Sequence, residues 1–116
     1  MIIGQNNNVS QTLAETIGHF VQADFIVIND EFEKQLKETK TEPQFVFVNL
    51  MDVNQPQLVS ETVRQYFPDS TQVGIHSFQN QALIDQTLAQ GYDHYLTVFT
   101  LADTLPTLLR RATKSK

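Results

Sequence analysis

Phe45-Val46-Phe47-Val48, running into Asn49-Leu50-Met51, decides the fold. The run is apolar without any polar alternation. A strand of this kind is covered on both faces, as in a parallel sheet held between layers of helices. Glu42-Pro43 breaks the chain just before it. After it, Pro56 stands where a first helical turn loses nothing by a missing N–H. Val59, Val63 and Phe67 stripe the helix that follows, and Pro68-Asp69 ends it.

The same alternation extends in both directions. Upstream, Met1-Ile2-Ile3 reads as a short buried strand, followed by a polar loop from Gly4 to Asn8. Val9, Leu13, Ile17 and Val21 recur at helical spacing and predict an apolar face on a first helix. Phe25-Ile26-Val27-Ile28 is a second strand closed by Asn29-Asp30. The segment from Glu31 to Thr39 is a polar helix with Phe32 and Leu36 on one face and a Glu33–Lys37 pair, expected to pack thinly.

Downstream, Val73-Gly74-Ile75 is a fourth strand. Ala82, Leu83, Ile84, Leu88 and Ala89 predict a fourth helix, capped at its end by Gly91. Tyr95-Leu96-Thr97-Val98-Phe99 is a fifth strand. Asp103 is the expected cap of a last helix, with Pro106 in its first turn and Leu105, Leu108, Leu109 and Ala112 facing inward. The tail from Arg110 turns basic, as suits a helix C-terminus.

Five strands alternating with five helices predict an α/β fold, a doubly wound parallel sheet. The flavodoxin-like strand order 2-1-3-4-5 is the natural expectation, with sites at the carboxyl ends of the strands. Residues 1–116 read as a single domain without repeat or linker.

The bulk numbers limit the function. Hydrophobic content of 41% and charged content of 18% describe a globular chain. A net charge of -5 argues against nucleic-acid binding, because an acidic surface repels phosphate backbones. The absence of cysteine excludes disulfides, zinc-thiolate sites and thiol catalysis, and suits a reducing cytoplasm. No apolar run has the length of a signal peptide or a membrane span, so no membrane partner is expected.

Three local stretches carry a family resemblance. Gly91-Tyr92-Asp93-His94-Tyr95-Leu96-Thr97 resembles the Gly-Ala-Asp-Asp-Tyr-Leu-x-Lys run of response-regulator receiver domains, the CheY-like family. Phe45-Val46-Phe47-Val48-Asn49-Leu50-Met51 is similar to that family's strand ending in Asp-Leu-x-Met. Ile3-Gly4-Gln5-Asn6-Asn7-Asn8-Val9 is similar in layout to its Val-Asp-Asp start.

The resemblance implies a site of five groups. Two acids after strand one help hold Mg²⁺, an aspartate ending strand three takes the phosphoryl group, a Thr or Ser follows strand four, and a Lys ends strand five. Their charges are what a dianionic phosphoryl group needs to approach a carboxylate. Here the acidic pair falls on Gly4 and Gln5 with Asn6 beside them, the nucleophile on Asn49, the hydroxyl on His76 next to Ser77, and the lysine on Val98. All five depart from the pattern. The activity is therefore not carried over; what survives is a degenerate receiver acting as an interaction module, with no enzyme activity, metal or cofactor expected. The resemblance places its docking surface on helix four, strand five and helix five. Gln81, Asp85, Tyr95, Arg110 and Arg111 are the candidates, serving a protein partner or a homodimer.

Each singled-out residue also has a plain structural reading. Asn49 is expected as a buried amide bonded to neighbouring loops, or else as a locked mimic of one receiver state. Asp52 is expected as an exposed loop or capping aspartate, or else as a displaced phosphoacceptor. His76 is expected as a hydrogen-bonded strand-end histidine, or else as a switch or ligand. Tyr95 reads equally as a half-buried strand tyrosine and as a switch aromatic. A flavodoxin-like domain that binds a small molecule or nucleotide through the loop from Gly4 to Ser10 is the alternative function.

Overall fold

The computed structural model describes residues 1–114, and their side chains through residue 110. Strands β1 (Ile2–Gly4), β2 (Phe25–Val27), β3 (Phe45–Asn49), β4 (Thr71–His76) and β5 (His94–Thr97) form one parallel sheet in the order β2-β1-β3-β4-β5. Helices α1 (Asn8–Gly18), α2 (Phe32–Glu38), α3 (Pro56–Tyr66) and α4 (Gln81–Ala89) make the crossovers, and α5 (Leu101–Lys114) follows the last strand. The flavodoxin-like α/β architecture read from the alternation is what the chain adopts. Among the described residues, no helix is long and apolar enough to cross a membrane.

The continuous run that opened the sequence is the middle of the sheet. All five residues of β3 are buried, and their side chains alternate between two cores. Phe45 and Phe47 join Leu13 and Ile17 of α1 and Leu101, Leu105 and Leu108 of α5. Val46 and Val48 join Leu36 of α2, Val59 and Val63 of α3, Phe67 and Tyr92. Helix α4 leans on this second face through Thr87, its buried residue, which lies over Gly74.

Punctuation signals hold where backbone chemistry is local. Pro56 opens α3. Gly91 follows the C-cap of α4 with φ 108, a conformation that L side chains rarely adopt.

Several side chains and boundaries differ from expectation. Val9 does not join the α1 face; it is 48% exposed, and Ser10 takes the inward position. The reason is the cap: Asn7 Oδ1 accepts from Ser10 N, which fixes the helix start so that residues 10, 13 and 17 face the sheet. Helix α2 does match expectation and packs thinly: Leu36, 1% exposed, is its single buried residue. Leu88 is 45% exposed, because α4 reaches the sheet through Thr87. Strand β5 stops at Thr97, where the Thr97 and Thr100 hydroxyls bond each other at 2.9 Å and turn the chain, leaving Phe99 80% exposed. Helix α5 therefore starts two residues before Asp103, and Pro106 lies inside it rather than in its first turn. The Ala112 and Arg111 side chains lie outside the described ones.

Candidate functional site

The crossover from β1 to α1 and the end of β3 meet at the carboxyl edge of the sheet. Register pairs Ile3 with Val48, which brings Gly4 beside Asn49. A single 3-10 turn, Leu50–Asp52, then folds the chain back over this point. Asn49 sets that turn by accepting Met51 N on Oδ1 at 3.2 Å.

Asp52 is the centre of the arrangement. Its Oδ2 accepts from Ser10 Oγ at 2.7 Å, from Gln5 N at 2.9 Å and from Asn49 Nδ2 at 3.0 Å. Its Oδ1 accepts from Asn7 Nδ2 at 3.0 Å. Asn49 Nδ2 also reaches Ser10 Oγ at 3.0 Å. The carboxylate thus has donors from the β1–α1 loop, from α1 and from β3, beside the positive end of the α1 dipole. Ser10 and Asn49 are each 1% exposed. The arrangement needs Gly4: a Cβ there would stand 2.5 Å from Ser10 Oγ and 3.3 Å from Asp52 Oδ2.

The structure therefore corrects the expectation of an exposed Asp52. It supports the plain reading of Asn49 as a buried, satisfied amide. Of the positions singled out from sequence, Gly4, Gln5 and Asn49 come together around Asp52. Asn6 does not: it is exposed, and its Oδ1 accepts from Gln11 Nε2. His76, at the end of β4, accepts Ser77 N on Nδ1 at 3.0 Å and packs its ring against Phe78, centroids 5.0 Å apart. Val98 follows β5, donates its N–H to His76 O at 2.9 Å, and lines an uncharged groove with Val9, Met51 and Ser77. Sequence reasoning included Asn7 and Ser10 in the loop from Gly4 to Ser10 but gave neither a role toward Asp52. The available signal was the amide-rich loop itself, a row of donors with no cation beside it.

An open groove of about 650 Å³ adjoins the crevice, bounded by Asp52, Asp30, Glu33, Phe32 and Leu58. On the other flank, Tyr95 donates its hydroxyl to Phe78 O and so ties β5 to the β4–α4 loop. Partial burial pushes the Tyr95 phenol up from its ordinary value. Gln81 and Asp85 are exposed on α4 and bond each other at 2.8 Å, and Arg110 is exposed on α5. The Arg111 side chain is not among those described.

The fold defines the class: a five-stranded, doubly wound α/β domain of flavodoxin-like strand order. No family model matches the sequence, and no curated protein matches it. Solved response regulators share the fold. One from Thermotoga maritima aligns with a TM-score of 0.71 and 16% identity, covering 96% of this chain and 93% of its own. Another, from Burkholderia pseudomallei and solved with a phosphorylated aspartic acid, a calcium ion and citrate, aligns at 0.69 with 22% identity, covering 98% of this chain and 68% of its own. Likeness at these identities shows the fold.

A divalent cation, which the receiver resemblance implies, does not fit this crevice. The groups converging there are N–H and O–H donors, the surroundings of an anion. Among the described residues, no three His, Asp or Glu side chains gather as a metal site.

Proposed function

We propose that residues 1–116 form one atypical, cytoplasmic receiver domain that signals by binding a protein and not by taking up a phosphoryl group. One observation carries this reading: the crevice at the ends of β1 and β3 is already filled by the Asp52 carboxylate, with its donors committed. An amide nitrogen such as Asn49 Nδ2 is no nucleophile, and it is engaged as a donor. Gly4, Gln5, His76 and Val98 supply neither the acids, the hydroxyl nor the ammonium that phosphoryl transfer to a carboxylate requires. The domain is accordingly not an enzyme.

The docking surface is the face of α4, β5 and α5. Gln81, Ile84, Asp85 and Leu88 share one helical side of α4, and Leu88 is 45% exposed there. Tyr95 on the edge strand and Arg110 on α5 continue it, and Arg111 is placed with them on sequence alone. An apolar patch rimmed by polar residues suits a protein partner or a second copy of the chain.

Acetyl phosphate with Mg²⁺ should leave the intact mass unchanged. A stable phospho-adduct that disappears on substituting Asp52 would sink the phosphorylation-independent reading. Leu88→Asp should weaken self-association or partner capture while leaving the unfolding midpoint in place; equal binding by this variant would move the interface elsewhere.

A further inference from the structure

The Asp52 carboxylate sits in its crevice as a guest. Its donors are fixed by the β1–α1 loop, α1 and β3, whereas Asp52 itself stands at the end of one short 3-10 turn between β3 and α3. Ser10 and Asn49, each 1% exposed, aim their polar atoms at it. Gly4 keeps open the space that the carboxylate fills.

The side chain also has somewhere to go. Asp52, Asn54 and Gln55 line the open groove of about 650 Å³ beside the crevice. Asp30 and Glu33 line the same groove, so a carboxylate swung outward meets like charge there. That repulsion favours the seated state at rest.

The geometry points to Asp52 as a displaceable internal anion: seated, it closes the crevice; withdrawn, it uncovers an oxyanion-sized cup made of Gln5 N–H, Asn7 Nδ2, Ser10 Oγ and Asn49 Nδ2. The cup takes a small carboxylate or phosphate, because its donors already satisfy a carboxylate. The tethered group outcompetes free anions, since its effective concentration is set by the length of the turn. This goes beyond the docking reading and stands in the isolated domain without any partner.

Asp52→Ala tests it, with formate, acetate, inorganic phosphate and chloride compared at equal ionic strength. The variant should melt roughly 5 °C lower than wild type. Formate or acetate should restore most of that loss and shift the Gln5 amide signal in a ¹⁵N–¹H spectrum. Phosphate doing so more strongly assigns the cup to phosphoryl groups; formate and acetate alone assign it to carboxylates. Chloride should do neither, wild type should respond to none of them, and the Ser10→Ala/Asp52→Ala pair should lose the rescue. Equal rescue by chloride, or no rescue with an unmoved Gln5 signal, overturns the proposal. Asp52→Ser, whose side chain is too short to fill the cup, keeps the test open if the alanine variant does not fold. It should show an anion-specific Gln5 shift that wild type lacks, and a spectrum indifferent to formate, acetate and phosphate would overturn the proposal equally.

Discussion

Asn49 Nδ2 stands 3.0 Å from Asp52 Oδ2, so the strand-end amide is a donor at a point where a carboxylate would bring a second negative charge. Asn49→Asp should therefore destabilise the domain. It removes a hydrogen bond to a charged acceptor and sets two carboxylates side by side in a mostly buried site. The expected cost is about 3 kcal/mol, read by urea unfolding. The variant should also gain no mass from acetyl phosphate with Mg²⁺. Exchanging both groups in Asn49→Asp/Asp52→Asn restores one donor and one acceptor, and should recover a large part of the loss. A single variant as stable as wild type would mean that the Asn49 bond contributes little.

Gly4 is required by close approach. Its hypothetical Cβ falls 2.5 Å from Ser10 Oγ and 3.4 Å from Asn49 Cβ. Ser10 can yield only by rotating its hydroxyl away from Asp52 and Asn49. Gly4→Ala should cost about 2 kcal/mol. On a Ser10→Ala background the obstructing atom is gone, so the same substitution should cost clearly less. Denaturant unfolding of the four proteins gives the coupling. Additive costs would show that the Cβ is accommodated some other way.

The fold was legible because its signals are local. Phe45 to Val48 needs only its own composition to declare a strand covered twice, and Pro56 and Gly91 act through their own backbones. The candidate site was legible only at its rim. Gly4, Gln5 and Asn49 stand at or just past strand ends, and strand ends are what the sequence pattern marks. Asp52 was not legible, because three of its four partners lie 42 to 47 residues away and no spacing records such a meeting. Leu88 shows a related limit. Periodicity assigns a residue to a helix face, but what covers that face is decided by the way Thr87 seats α4 over Gly74.

The Met1 amino group gives the domain a pH dependence. It is buried and donates to Phe45 O at 3.0 Å. Burial lowers its pKa from an ordinary 8.0 to about 6, against an opposing pull from Asp24. Between these values the unfolded chain holds the proton and the folded chain does not, so stability rises with pH. The penalty is complete below pH 6 and absent above pH 8. Its size should be roughly 3 kcal/mol. Thermal midpoints across that range test it, with an Nα-acetylated chain as the control that should lose the slope. A midpoint that falls from pH 6 to pH 8 would contradict the sign.

Gln72 presents the opposite case, a buried polar group whose removal should be harmless. It is fully buried on β4, where its Nε2 donates to Ser60 O at 3.1 Å and its Oε1 has no hydrogen-bond partner. One bond gained and one acceptor left dry roughly offset each other. Gln72→Met keeps the length, removes the unpartnered oxygen and adds apolar contact with the core around Val46, its neighbour in register. It should leave stability within about 1 kcal/mol of wild type or raise it. Gln72→Glu puts a charge in the same place and should cost several kcal/mol at neutral pH. Chemical denaturation of both variants decides the matter. A large loss in the methionine variant would mean that Oε1 holds a bound water whose hydrogen bonds the domain needs, and β4 would then be wet at its centre.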